Sequence, residues 1–185
     1  MLVDPDLDEI VNGPRGMLKG VDVCIQAQCL VSAVALIYST IDALSALTRP
    51  PEKKDTNRKN FINWVKKYIR PDKTLRCSAH DLYGARCGVL HNYGPNSKLR
   101  RQGEAKALIY KWRDGPDPDP NRNIPLPADA ITLYVEDLRK ALSEALTEFL
   151  AGIEGDAALK QRVEHHRQEL LCYRPWSAVP IRVAA

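Results

Sequence analysis

A chain of 185 residues, 44% apolar and with a formal charge of +4, is long enough to bury one sizeable core and short for two, so a single domain over residues 1–185 is expected. Five cysteines, at 24, 29, 77, 87 and 172, are odd in number and fit no disulfide framework; the acidic start at Asp4, Asp6, Asp8 and Glu9 lacks the basic and apolar regions of a secretory signal, so a reducing, cytoplasmic setting with most cysteines as small core residues is expected. Charge is unevenly placed: residues 49–76 hold ten Lys/Arg against three carboxylates, a local +7, and residues 114–154 hold nine Asp/Glu against three cations, a local −6, which gives either a face that attracts an anion such as RNA or an ordinary solvated helix surface.

From Val21 to Leu47 apolar residues are dense on nearly all sides, with Asp22 and Asp42 the few charges, as in a central buried helix. Ser32, Tyr38, Ser39, Thr40, Asp42 and Ser45 interrupt residues 29–47, which argues for a core helix and against a membrane span. Pro50 and Pro51 end it. A second helix opens with Asp55 or Thr56 as cap, carries Phe61, Trp64, Val65 and Tyr68 inward and Lys59, Lys66 and Lys67 outward, and stops at Pro71. The third runs over 79–92: Ser78 and Asp81 fit a capping box, and Asn92-Tyr93-Gly94-Pro95 supplies a terminating Gly and then a Pro. Within it Gly84 and Gly88 each cost about 1 kcal/mol relative to Ala, a loss that signals close approach by another helix, here beside His91.

Residues 94–127 form a loop rich in Pro, Asp, Gly and Asn, in which Lys106–Trp112 is either a short strand or a helical turn. After Pro127, placed for a first helical turn, Ile131, Val135, Leu138, Leu142, Ala145 and Phe149 mark a long amphipathic helix. Gly152 and Gly155 punctuate it. Asp156 opens a last helix with Leu159, Val163, Leu170 and Leu171 on its apolar side; its adjacent His165 and His166 cannot share a face and read as a solvated pair. The tail 173–185 carries no signal. The expected fold is all-α, an up-and-down bundle of about five helices with its core between residues 20 and 172.

The residues that point to chemistry are Arg86 and His91, spaced Arg-x4-His at the end of the third helix. At 100° per residue they stand about 140° apart, so only a long Arg side chain brings them to one ligand, and a second copy of the helix makes this easier. The stretch LYGARCGVLHNY, residues 82–93, resembles the active-site helix of the HEPN superfamily of helical ribonucleases; Leu82-Tyr83 before the Arg, Val89-Leu90, and termination just after His91 carry the likeness. More weakly, YSTIDAL (Tyr38 to Leu44) is similar to that family's first long helix with its inward acidic residue, here Asp42. The resembling stretches lie within residues 30–95. Where many members have Asn, Asp or His directly after the Arg, this chain has Cys87.

The resemblance implies a homodimer with a composite cleft, a HEPN-like bundle, and a role in phage defence or a toxin-antitoxin system, with RNA as target and an antitoxin as further partner. It implies Arg86 and His91 as the catalytic pair, supported by Asp42, Tyr83, Cys87 and Asn92. A neutral His can take the proton of a 2′-hydroxyl while Arg holds the phosphate oxygens, a reaction that calls for no metal or cofactor. A rival zinc set of Cys77, His80, Cys87 and His91 fails on length, since one helix over 79–92 sets the two histidines about 16 Å apart. Lys66 and Lys67, and Lys98, Arg100 and Arg101, interleaved with Trp64, Tyr68, Tyr110 and Trp112, are expected to grip single-stranded RNA, although Trp64 and Tyr68 also suit the core. A second reading is a non-catalytic helical dimer that binds a nucleotide or a protein partner; Cys87 favours it, while the intact Arg and His favour the nuclease.

Overall fold

The computed structural model describes residues 5–92, 97–113, 126–167 and 170. Over these the chain is mostly helical, joined by one short parallel strand pair. Helices α1 (Pro5–Asn12) and α2 (Met17–Gln26) precede α3 (Leu30–Leu47), against which α2, α4 (Arg58–Trp64), α6 (Ala79–Asn92), α8 (Val135–Gly155) and α9 (Ala157–His166) pack. Helix α3 is therefore the centre of the core that its dense apolar sequence predicts. It is the one described helix long and apolar enough to cross a membrane, and half of it is buried inside the chain itself.

The single helix expected over 21–47 is two helices, α2 and α3. Gln28 adopts the left-handed conformation, φ 55°, and the Cys29 N–H reaches back to the Cys24 carbonyl at 2.8 Å, the kind of bond that closes a helix C-terminus. No Gly or Pro marks the break, so the sequence hides it. The turn folds α2 back along α3, and Arg139 of α8 clamps Asp22 of α2 with two bonds of 2.8 and 3.1 Å.

The second helix starts one or two residues later than expected from a cap at Thr56 or Asp55. Asn57 is the cap, in a reciprocal box with Asn60; α4 then widens into a π-helical stretch, Val65–Ile69. The extra residue per turn keeps Trp64, Val65, Tyr68 and Ile69 all buried, and such insertions are rare in regular helices. Trp64, Tyr68 and Phe149 of α8 form an aromatic cluster with centroids 5.2–5.9 Å apart, so these two aromatics belong to the core and are not stacking platforms. Pro71, expected to stop the helix, opens the short α5 (Pro71–Thr74) instead.

Lys106–Trp112 resolves as strand β1 (Leu108–Lys111), preceded by the short helix α7 (Lys98–Arg101). Its partner is β2 (Ile131–Tyr134), parallel, with Leu108 opposite Ile131. Here the reading of a helix from Pro127 is corrected: Ile131-Thr132-Leu133-Tyr134 is β-branched and aromatic, and these residues pair as a strand, so α8 begins at Val135. From there the apolar stripe behaves as read, with Leu138, Leu142, Ala145 and Phe149 fully buried, worth about 1.5–3 kcal/mol for each large side chain. Helix α8 runs through Gly152 and ends at Gly155. Asp156 caps α9, accepting from the Leu159 N–H at 2.9 Å.

Two further expectations are corrected. His165 is exposed but His166 is 2% exposed, because α9 turns Val163 and His166, three residues apart, inward. Of the described cysteines only Cys77 is buried, its thiol pushed up to about 12 by burial; Cys29 is exposed and Cys24 and Cys87 are half-buried. Cys172, Leu171 and the tail 173–185 lie outside the described residues.

Candidate functional site

Helix α6 owes its start to the Ser78–Asp81 box that the sequence shows. The Asp81 carboxylate accepts from the Ser78 N–H at 2.8 Å and its hydroxyl at 2.7 Å, and the Ser78 hydroxyl accepts from the Asp81 N–H at 3.1 Å. The other Asp81 oxygen accepts from the Lys106 N–H at 2.6 Å. One buried carboxylate therefore fixes both the register of α6 and the chain that leads into β1.

Gly84 is packed within the chain. A Cβ there would stand 2.8 Å from the Ala105 Cβ and 3.4 Å from the Ser97 Oγ, so the close approach that this glycine signals comes from α7 and the residues after it, not from a second α6. Gly84 and Arg86 are about 200° apart around the helix. Helix α7 with Lys98, Arg100 and Arg101 thus backs α6 on the side away from Arg86.

On that free side Asp42 of α3 meets Arg86 of α6. A single carboxylate oxygen, Oδ2, accepts from Arg86 Nε at 2.7 Å and Nη2 at 2.6 Å, while Nη1 lies 3.4 Å from His91 Nε2. A guanidinium can only donate, so His91 Nε2 must face it as an acceptor, and the neutral ring then carries its proton on Nδ1. The angular argument required the Arg side chain to span the 140° gap, and it does so inside one chain; no second helix is needed to bring the pair together.

The charges are tuned by position. Burial pushes the Asp42 carboxyl up from the ordinary carboxylate range, although the Arg86 bond and charge, and His91, pull it down. Burial also works against the Arg86 cation, but Asp42 outweighs it and raises that group further. Both side chains keep about a quarter of their surface exposed, 28% and 23%, and His91 is exposed, so the triple lies open to solvent with Nη1 and the imidazole outermost.

Tyr83 and Cys87, one turn apart, are in contact: burial and then the Cys87 thiol, to which it is hydrogen-bonded, raise the Tyr83 hydroxyl. The Tyr83 ring packs edge-on against Phe61 at 5.4 Å. The Arg58 guanidinium lies 5.8 Å above the ring and pairs with Glu104 at 2.8 Å. Sequence reasoning passed over Arg58, which only the packing of α4 on α6 brings here. The Asn92 side chain lies outside the described ones. Lys66 and Lys67 are exposed on the π-helical stretch.

Among the described residues no three His, Cys, Asp or Glu side chains converge as metal ligands. In comparison with known proteins, no family model, curated protein or solved structure matches the chain.

Proposed function

We propose that the Asp42–Arg86–His91 triple is the active site of a metal-independent endoribonuclease of HEPN type. The observation that carries the reading is the division of labour on one guanidinium: Asp42 occupies its Nε and Nη2, which fixes the plane, and leaves Nη1 directed at an exposed imidazole. In the proposed reaction a phosphodiester displaces the long Arg86–His91 contact and takes the free guanidinium edge. A neutral His91 nitrogen accepts the proton of the adjacent 2′-hydroxyl, and the 2′-oxygen attacks phosphorus. The bond to the 5′-oxygen breaks, that oxygen leaves with a proton from the medium or the imidazolium, and a 2′,3′-cyclic phosphate remains. Defence or toxin-antitoxin biology is the setting that the HEPN resemblance implies.

A homodimer belongs to the same proposal. Between Val31 and Ala46 one face of α3 presents small or apolar residues, among them Ser32, Ala35, Leu36 and Ser39, all exposed or half-buried, and it leads to Asp42 with no other charge. A second copy seated there would wall the open triple.

The second reading, a non-catalytic nucleotide or protein binder, draws on Cys87, whose thiol is hydrogen-bonded to both Tyr83 and Arg86. Cleavage of total RNA in excess chelator separates the two. Arg86→Ala and His91→Ala are expected to lower cleavage at least a hundredfold with circular dichroism unchanged, a loss on the scale of a positioned acid or base, and Cys87→Ser to retain most activity. Equal inertness of wild type and His91→Ala toward many RNAs, with nucleotide bound, establishes the non-catalytic reading.

A further inference from the structure

A second basic site lies away from the triple, where α9 crosses α4 and the π-helical stretch. A cavity of about 340 Å³ opens there, lined by Lys53, Lys59, Lys67 and Arg162 together with Asn63 and Trp64, and among the described residues no carboxylate lines it. The volume is at the lower end of small-molecule sites. Asp156, exposed at the α9 cap, is close enough that Arg162 and Lys67 both favour its charge, although its first partner is the Leu159 N–H.

Two residues that line it carry a buried nitrogen with no hydrogen-bond partner among the described residues: the indole Nε1 of Trp64, a residue 2% exposed, and the Nε of Arg162. A buried polar atom left unpaired costs about 1–3 kcal/mol, and native interiors rarely tolerate two together. The charged groups that line the cavity, three ammoniums and one guanidinium, are donors only, which suits a ligand rich in acceptors. Four cations with no lining acid set its charge as multiply negative.

We propose that this cavity is a binding site for an oligophosphate, either free or as the phosphate chain of a nucleoside di- or triphosphate. Lysines 53, 59 and 67 meet its outer oxygens as mobile point charges, and Arg162 of α9 offers its planar guanidinium to the same chain. The site is independent of the nuclease reading, since neither Arg86 nor His91 lines it.

Titration calorimetry on the full chain in chelator, with inorganic tripolyphosphate and separately with ATP, tests the proposal. Wild type should bind tripolyphosphate in the micromolar range, and Lys53→Ala/Lys67→Ala and Arg162→Gln should each weaken it about tenfold, the scale of one or two charge-assisted contacts. Both lysines are exposed, so the double variant keeps the fold. Arg86→Ala should bind as wild type. Equal affinity for both probes means the phosphate chain alone is read; tighter ATP means the nucleoside is read too. No binding of either probe, affinity indifferent to the lysine and Arg162 variants, loss of binding in Arg86→Ala, or binding only of an RNA oligonucleotide lacking terminal phosphates each overturns it.

Discussion

Asp42 serves the guanidinium of Arg86 at some cost to the fold. Its carboxyl is raised above the ordinary value of 3.8, chiefly by burial. A carboxyl raised in the folded state contributes stability that is fully present below the unfolded value and is lost as pH rises through the folded one. Asp42→Asn, which imitates the protonated acid, is therefore predicted to match wild type in urea midpoint at about pH 4 and to equal or exceed it at about pH 7. RNA cleavage by the same variant should fall at least tenfold, because an amide oxygen orients the guanidinium less firmly than a carboxylate. A variant less stable than wild type at neutral pH and equal to it in acid would show that the ion pair stabilises the fold and that burial does not dominate. At this scale the sequence was informative: the helical spacing and likeness that single out Arg86, His91 and Asp42 name three residues that stand within hydrogen-bonding distance along a chain of contacts. What it could not show is which edge of the guanidinium Asp42 takes, or the buried Tyr38–Tyr110 hydroxyl pair at 2.6 Å, since both depend on how α3, α6 and β1 meet.

At the scale of elements, legibility follows whether the determinant is local. The α6 boundaries, set by the Ser78–Asp81 box, and the stripe of α8 from Val135 onward were readable because neighbours three or four residues apart decide them. The break at Gln28 and the pairing of Ile131–Tyr134 with Leu108–Lys111 were not, because one lacks a Gly or Pro to mark it and the other requires a strand 20 or so residues away, so tertiary contact overrides periodicity. Gly84 shows the same limit: its small size was correctly a sign of close approach, yet the neighbour is Ala105 of the same chain and not a second helix. Gly84→Ala gains about 1 kcal/mol of helix propensity, but its Cβ would stand 2.8 Å from the Ala105 Cβ, and crowding of this kind costs about 1–3 kcal/mol. A net loss of roughly 1 kcal/mol in denaturant unfolding is predicted, recovered in Gly84→Ala/Ala105→Gly. A single variant as stable as wild type would mean that the segment after α7 yields freely.

For the whole molecule, the described basic residues are spread over several elements: Lys67 lines the cavity beside α9, and Lys98, Arg100 and Arg101 belong to α7, which backs α6 at Gly84. A homodimer joined through the exposed face of α3 would set two triples near one another and bring basic surfaces of both copies to the same strand. Light scattering on the eluting protein is predicted to give about twice the chain mass of 20.8 kDa, with Ser39→Arg shifting it toward the monomer and lowering cleavage in proportion. A monomer at micromolar concentration with full activity would remove the composite cleft and leave the single triple to act alone. The nuclease reading itself is tested most directly by the chemistry of the ends it makes. A defined RNA is incubated with the protein in excess chelator, beside the same RNA with a 2′-deoxy sugar at the cleavage position. The account predicts 2′,3′-cyclic phosphate and 5′-hydroxyl ends from the first and no cut in the second, because the 2′-oxygen is the nucleophile; equal cleavage of the deoxy-substituted RNA, or activity lost on chelation, would contradict it.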